Sequence, residues 1–581
     1  HGLTGDAVNL AARLTKLSKP GETIVGPETY RQAMHFFDFD ALGPMAVKGK
    51  AEPIQVYKVL SPKEQPSTLH RTHGARAHLI GRDQEMGVLE QAVQQLMQGQ
   101  GAVISICGEA GTGKSRLSRE YKARLDLDKI QWFEGHAYGY TQNTPYYPLI
   151  DLLKRAFQIE EGDPPERIRA KIKSGVTYLI GADNQAVAYI GGLFSIPDPE
   201  AAEVSPELWR TRLHASIREI VSAFAKQEPT VICFEDLHWA DPSLIDLLNS
   251  LLKHQIHSVL FVCIYRPNFS LFDAQDRQNI DPAYQEIRLH ELSALDTQVM
   301  LRSLLKSEDI PAELTEFVGK KTEGNPFYLE EVINSLIESG ILIRESGGWK
   351  LTRTIIEADI PSSINGVLSA RIDRLQKSAK RILQEASVIG REFAFGILDA
   401  VTEMKGNLKS NLLKLQGLEF IYEKNLFPEL EYIFRHALTQ EVAYNSLLLT
   451  HRKVFHEKIA RAIETLYPER LEEFCEMLAL HYSRSEEQEK AYHYLKLSGD
   501  KAYSRFANWE AYRYYREAIA VCNRLPQTES VRKKGVEARF CLFPPAIYLG
   551  FPEDALQFFK EGADESRKLG ELLRAAEFEA R

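Results

Sequence analysis

Cysteine, tryptophan and long apolar runs are what this sequence has least of. Six cysteines are scattered over 581 residues, and none forms a CxxC pair or a metal-ligand spacing. Cys107, Cys233 and Cys263 stand in apolar, strand-like runs, and Cys475, Cys522 and Cys541 in helical text. That excludes a disulfide framework and a zinc module; buried thiols in a reducing compartment are the natural reading, and a cytoplasmic location is the expectation. No stretch reaches the ~18 consecutive apolar residues that a spanning helix requires. Basic excess is missing too. A net charge of −9 spread over this length argues against membrane surfaces and nucleic acid as partners. There is no initiator Met and no leader pattern: the chain opens on His1 inside helical text and closes in mid-helix at "AAEFEAR". The expectation is a piece of a longer protein, cut at both ends.

What is present is core-forming. Hydrophobic residues make up 44% and charged residues 26%, the balance of globular domains, and the length suits roughly three or four of them. Residues 61–78 are polar, basic and proline-containing without periodicity, as in a linker. Beyond it, helical text alternates with short apolar runs at 102–107, 130–133, 230–235, 259–265 and 286–289. Such alternation predicts a mainly parallel sheet covered on both faces. From about 290 onward the text is almost wholly helical, with one hairpin expected near 418–434. The fold class expected is multidomain, α/β followed by all-α.

The strongest chemical signal is "GEAGTGKS", Gly108–Ser115, set between the apolar run "AVISIC" and the helical text "RLSREYKARL". It matches GxxxxGK[ST] in the strand–loop–helix context that the motif needs. Gly108, Gly111 and Gly113 leave room for backbone N–H groups to wrap a phosphate, and the helix that follows adds its positive end. Lys114 would reach the outer phosphates of ATP, and the Ser115 hydroxyl would ligate Mg²⁺. A P-loop also needs acids on a neighbouring strand. "VICFEDLHWADPS" places Glu235 and Asp236 at a strand's end, the first near Mg²⁺ and the second orienting the attacking water.

"HLIGRDQEMGVLEQAV", "FEDLHWADPS", "CIYRP" and "GNPFYLEEVI" together resemble the signal transduction ATPases with numerous domains, the STAND class of AAA-like NTPases. The resemblance implies that Arg266 senses the γ-phosphate, that Pro326 packs near the adenine and that Gly81 and Arg82 lie beside the nucleotide. Glu235 stands where that family more often has Asp. Residues 356–452 look like the family's winged-helix domain, after a helical lid at 291–355. There His436 of "FRHAL" matches a histidine that touches the β-phosphate in relatives. Residues 453–581 resemble tetratricopeptide repeats: Leu495, Gly499, Ala511, Tyr515 and Ala518 fall at packing positions, with Ala555 and Phe559 repeating part of the phase. Trp509 and the tyrosines of "AYRYYREA" are expected in the core between helices. The repeats would carry an unidentified protein or small-molecule ligand.

Residues 1–60, with "GDAVNLAARL", "KPGETIVGPETY" and "FDFDALGPMAVKGKAEPIQVYKVL", resemble the C-terminal part of a class III nucleotidyl cyclase domain. The resemblance implies that Asn9 holds the ribose, that Arg13 stabilises charge on the α-phosphate and that Lys48 binds the departing phosphates, with Lys50 a second candidate. It also implies a second cyclase domain as partner in the longer protein. The family's paired metal-binding aspartates would lie before His1, so this chain by itself is not expected to cyclise a nucleotide. ATP and GTP both stay open as cyclase substrate. The sequence thus expects the ATP-binding STAND module of a class III adenylate cyclase, with 79–290 as its P-loop ATPase domain. The alternative is a STAND-type transcription regulator or a signalling scaffold without cyclase activity.

Overall fold

The structure is a computed structural model that describes residues 14–15, 18, 22–27, 29–30, 37–45, 54–62, 79–160, 162–181, 185–253, 258–272, 283–345, 348–356, 360–425 and 430–580. Near its start, β1 (Thr23–Val25), β2 (Phe37–Met45) and β3 (Ile54–Pro62) form an antiparallel sheet in the order β1-β3-β2. The Tyr30 ring stacks on Tyr57 with centroids 3.6 Å apart.

The apolar runs expected to be strands become β4 (Ala102–Gly108), β5 (Gln131–His136), β6 (Thr230–Glu235), β7 (Val259–Tyr265) and β8 (Tyr284–Leu289). They pair in parallel, in the order β5-β6-β7-β4-β8. Both faces are covered, which is why the strands read as continuous apolar runs rather than alternating ones. Successive residues serve opposite faces. Ile104, Ile106, Val231, Val262 and Ile264 pack with Leu89 and Leu96 of helix Asp83–Met97 and with Leu117 and Tyr121 of helix Lys114–Arg124. Val103, Ile232, Phe234 and Phe261 pack with Leu149, Ile217, Phe224 and Leu248 from helices Tyr147–Ala156, Pro206–Gln227 and Pro242–Lys253. One sequence expectation needs correcting: the strand that ends in Glu235 does not neighbour the P-loop strand. β7 lies between β6 and β4, so Arg266 follows the strand that separates the two motifs.

After the sheet come helices Ala294–Leu305, Ala312–Thr322 and Pro326–Glu338, closed by a hairpin of β9 (Leu342–Glu345) and β10 (Gly348–Leu351). A second small sheet, β11 (Glu392–Ala394), β12 (Ile421–Asn425) and β13 (Glu431–Phe434), has the order β11-β13-β12 and lies among helices between Ile364 and Asn445. We refer to 364–445 as the wing segment. The hairpin expected near 418–434 is β12–β13. The hairpin at 342–351 and the short β11 were missed, because four-residue and three-residue strands carry too few residues to show a period.

Helix pairs fill the rest of the chain from Leu449 to Ala580. The Tyr515 ring lies 2.6 Å from where a Cβ on Gly499 would stand, so helix Asn508–Arg524 packs on helix Gln488–Ser504 only because residue 499 has no side chain. Phe578 meets Gly562 in the same way, at 2.5 Å. Tyr512, Tyr514 and Tyr515 are buried as expected, but Trp509 is 46% exposed, because it lies on the solvent side of its helix.

The C-terminal helix pairs touch the parallel-sheet unit at the N-terminus of helix Pro242–Lys253. Glu510 accepts hydrogen bonds from Ser243 N (3.1 Å) and Ser243 Oγ (3.1 Å). Asp241, at the same helix end, accepts from Leu244 N and Tyr146 N, each at 2.9 Å. Both carboxyls are buried. Burial, with the facing Glu510 charge, pushes Asp241 up to about 8, and burial raises Glu510 as well. The folded state therefore holds a proton that an unfolded chain releases near pH ~4. That contribution is complete at low pH and is lost as pH rises toward the folded Asp241 value. Glu510→Gln keeps an acceptor for Ser243 and removes one charge. It is expected to stabilise the protein at pH 8 by about 1 kcal/mol, a rise of about 1 °C in unfolding temperature for a chain of this length. The gain measured by calorimetry at pH 5 should be smaller.

Candidate functional site

The site forms at the C-terminal ends of the parallel strands, where open α/β sheets place ligands. Helix Lys114–Arg124 starts after Gly113, which has φ +98 and gives no side-chain cap, so an anion is the natural partner for its first amides. Lys114 is 8% exposed and folds over the loop, its Nζ donating to Gly108 O (2.7 Å) and Glu109 O (2.8 Å). Burial lowers its pKa while the nearby Asp236 raises it and Arg266 lowers it further. Lys114 thus lies within electrostatic reach of both Asp236 and Arg266. Glu235 ends β6. Asp236, at φ +57, is a non-glycine in the left-handed region and opens a short 3-10 turn, Leu237–Trp239. Such backbone costs about 1–3 kcal/mol and clusters at functional sites.

Arg82 is buried and donates to the backbone oxygens of Thr112, at 3.2 Å, and His290. Gly81 lies against Asp296. The turn before helix Pro326–Glu338 closes on the loop from the other side. Asn325 Nδ2 donates to Ala110 O (3.0 Å), Phe327 N donates to Gly111 O (3.3 Å), and Asn325 Oδ1 caps Tyr328 N (3.1 Å). Pro326 thus starts its helix beside the P-loop. The His436 ring lies on Phe327, centroids 4.1 Å apart. Burial first, and then Arg435, hold His436 well below the ordinary histidine value, so it is a neutral imidazole. Its Nε2 finds no hydrogen-bond partner among the described residues. His238 is similar: burial lowers it to about 4, and neither ring nitrogen has a partner there.

The structure thus brings together Gly81, Arg82, Gly108, Gly111, Gly113, Lys114, Ser115, Glu235, Asp236, Arg266, Pro326 and His436 around one loop. Asn9, Arg13, Lys48 and Lys50 lie outside the described residues. Sequence reasoning missed Asn325, Phe327, His238 and Arg391. Arg391 NH1 donates to Asp236 Oδ2 at 3.2 Å. "GNPF" and "HWADPS" already contained the first three. Arg391, 155 positions from its partner, had no local signal.

The residues fit a nucleotide phosphate and a hard cation. Uncapped amides, Lys114, Arg266 and unpartnered ring nitrogens suit anionic oxygens. A hydroxyl and two carboxylates at the same mouth suit Mg²⁺. Among the described residues no cluster of three or more His, Cys, Asp or Glu side chains stands ready for a metal. No helix among them is long and apolar enough to cross a membrane.

Residues 78–262 match the AAA ATPase domain family. An uncharacterized protein of Rhizobium meliloti (strain 1021) is 25% identical over 566 residues, which is 94% of this chain and 52% of that protein. Peroxide stress-activated histidine kinase mak3 of Schizosaccharomyces pombe is 24% identical over 239 residues, 38% of this chain and 10% of that protein. Adenylate cyclase type 10 of Oryctolagus cuniculus is 21% identical over 357 residues, 59% of this chain and 22% of that protein. The chain therefore spans about half the length, or less, of these curated relatives. Among solved structures, a STAND protein with a tetratricopeptide repeat sensor from Pyrococcus horikoshii aligns at a TM-score of 0.39 and 14% identity, covering 87% of this chain and 80% of that one.

Gly111 has φ +85, and a Cβ there would stand 2.6 Å from Asn325 Oδ1. Gly111→Ala is expected to destabilise the protein by about 1–3 kcal/mol and to weaken ATP binding together with it. Thermal unfolding and an ATP titration on the same sample would check both.

Proposed function

We propose that this chain is the nucleotide-dependent regulatory module of a STAND-type signalling protein, and that the intact protein is a class III adenylate cyclase. The observation that carries the nucleotide part is the convergence of three separate elements on the P-loop: the strand-end acids, the Asn325–Phe327 turn and the wing segment through His436. Nothing in the packing of an ordinary core asks for a neutral, unpartnered His238 near the buried Lys114, or for an unpartnered His436 on the turn that caps the loop. A phosphate-bearing ligand that inserts between the loop and the wing segment does.

In this reading Lys114 holds the outer phosphates of ATP, and Gly108, Gly111 and Gly113 let the backbone approach them. Arg266 reads the γ-phosphate, and His436 donates from the wing side toward the β-phosphate. Gly81, Arg82 and Pro326 frame the nucleoside. Ser115 and Glu235 would hold Mg²⁺, which supplies positive charge to the phosphate oxygens. Asp236 orients water for slow hydrolysis, since a switch needs long-lived states rather than turnover. The segments 79–290, 291–355, 356–452 and 453–581 are then an ATPase domain, a helical lid, a winged helix and a repeat sensor for an unidentified protein or small-molecule ligand. A cytoplasmic setting suits such a device.

The cyclase part is supported by the motif order of residues 1–60, by the antiparallel sheet of β1, β2 and β3 and by the likeness to an adenylate cyclase. Asn9, Arg13 and Lys48 would act on the cyclised nucleotide once a second cyclase domain completes the site. Residues 61–78 link the two parts.

Lys114→Ala is expected to weaken ATP·Mg²⁺ binding more than tenfold, since a charge-assisted phosphate contact is worth about 1.5–3 kcal/mol. Unchanged affinity by calorimetry would sink the nucleotide reading. In the longer protein, Arg13→Ala is expected to lower cyclic-nucleotide synthesis about 10²–10³-fold and leave ATP binding at Lys114 unchanged. Equal cyclase rates in variant and wild type would remove the cyclase reading alone.

A further inference from the structure

We infer that Arg391 is a positioning residue for ATP hydrolysis: from the wing segment it holds Asp236 and keeps that carboxylate from orienting water. The inference rests on the ATPase reading above and adds to it the group that sets the rate.

Three consecutive residues seat the wing segment on the parallel-sheet unit. Gly390 lies so close to the loop after β5 that a Cβ there would stand 3.2 Å from the Tyr140 ring. Arg391 reaches Asp236 Oδ2 at 3.2 Å, with its guanidinium over the Tyr138 ring, 5.8 Å from the centroid. Glu392 accepts from Tyr138 Oη at 2.6 Å and from Lys424. The Arg391 carbonyl accepts from Phe434 N (2.9 Å), which fixes the backbone to β13. Arg391 therefore has little freedom to choose another partner. Its Nε is buried without a hydrogen-bond partner among the described residues, so a bond to Asp236 is what its position provides.

Orienting a water molecule requires a carboxylate oxygen free to accept its proton. A guanidinium on Oδ2 occupies one acceptor position and fixes the direction in which the carboxylate faces, which leaves it less able to hold a water. Lys114 and the loop amides are untouched by this contact. The P-loop can therefore take nucleotide while hydrolysis is held back, and lifting the wing segment frees Asp236.

The test measures ATP affinity by calorimetry and steady-state hydrolysis at saturating ATP·Mg²⁺ on the full chain. Arg391→Gln is expected to raise kcat at least about fivefold, the low end of coupling between linked sites, with ATP affinity within about twofold of wild type. Arg391→Lys keeps the charge and should stay near the wild-type rate. Tyr138→Phe removes only the hydroxyl that anchors Glu392 and should give a smaller rise, which covers the case in which Arg391→Gln does not fold. Asp236→Asn should be slow, and Asp236→Asn/Arg391→Gln equally slow, because the gain acts through Asp236. An unchanged or lower kcat in Arg391→Gln and Tyr138→Phe overturns the inference, as does a gain that survives Asp236→Asn. Wild-type protein that binds no ATP, or binds it independently of Lys114, removes the ATPase reading instead.

Discussion

One amide ties the molecule together. Asn325 uses its nitrogen on the P-loop carbonyl of Ala110 and its oxygen on the first turn of helix Pro326–Glu338. The phosphate loop and the elements that follow the sheet thereby share one rigid joint. The same helix continues the connection outward. Glu330 meets Arg116 of the P-loop helix at 3.5 Å and Arg435 of the wing segment at 3.1 Å, and Arg435 also engages Glu419. A partly buried chain of alternating charges then runs from the start of the P-loop helix to the residue before His436. Its Coulomb interactions are screened less than those of exposed pairs. Any ligand that moves the P-loop helix is felt at the wing segment through groups in direct contact.

The charge pattern of the mouth follows from burial. Arg391 is held cationic by the Asp236 carboxylate it faces, whereas His238 and His436 are kept neutral by loss of water. The histidines offer hydrogen bonds without adding charge. Affinity for an anion therefore rests on a few fixed cations, and discrimination between anions rests on direction.

What the sequence made legible was local. The five sheet strands announced themselves as apolar runs bounded by turn residues, and the P-loop lies where strand, loop and helix meet. The order of the strands was not legible, since nothing in "TVICFE" or "VLFVCIY" says which of them stands beside β4. Pairing is decided by which helices must cover which face. Trp509 misled for a related reason: an aromatic at helical spacing looks like core, but only the neighbouring helix decides which side is in. Arg391 could not be read at all. It looks like any arginine that enters a strand, and its meaning lies in a carboxylate more than a hundred residues away.

The contacts that join the later helices to the parallel-sheet unit span long stretches of the chain: Tyr138 with Glu392 across 254 positions, Asp236 with Arg391 across 155, Ser243 with Glu510 across 267 and Ser195 with Arg505 across 310. The five-stranded sheet, by contrast, is complete at Leu289. Chains are synthesised from the N-terminus, and domains generally fold as units in that order. The phosphate loop therefore takes shape on the ribosome before the residues that cover it have been made.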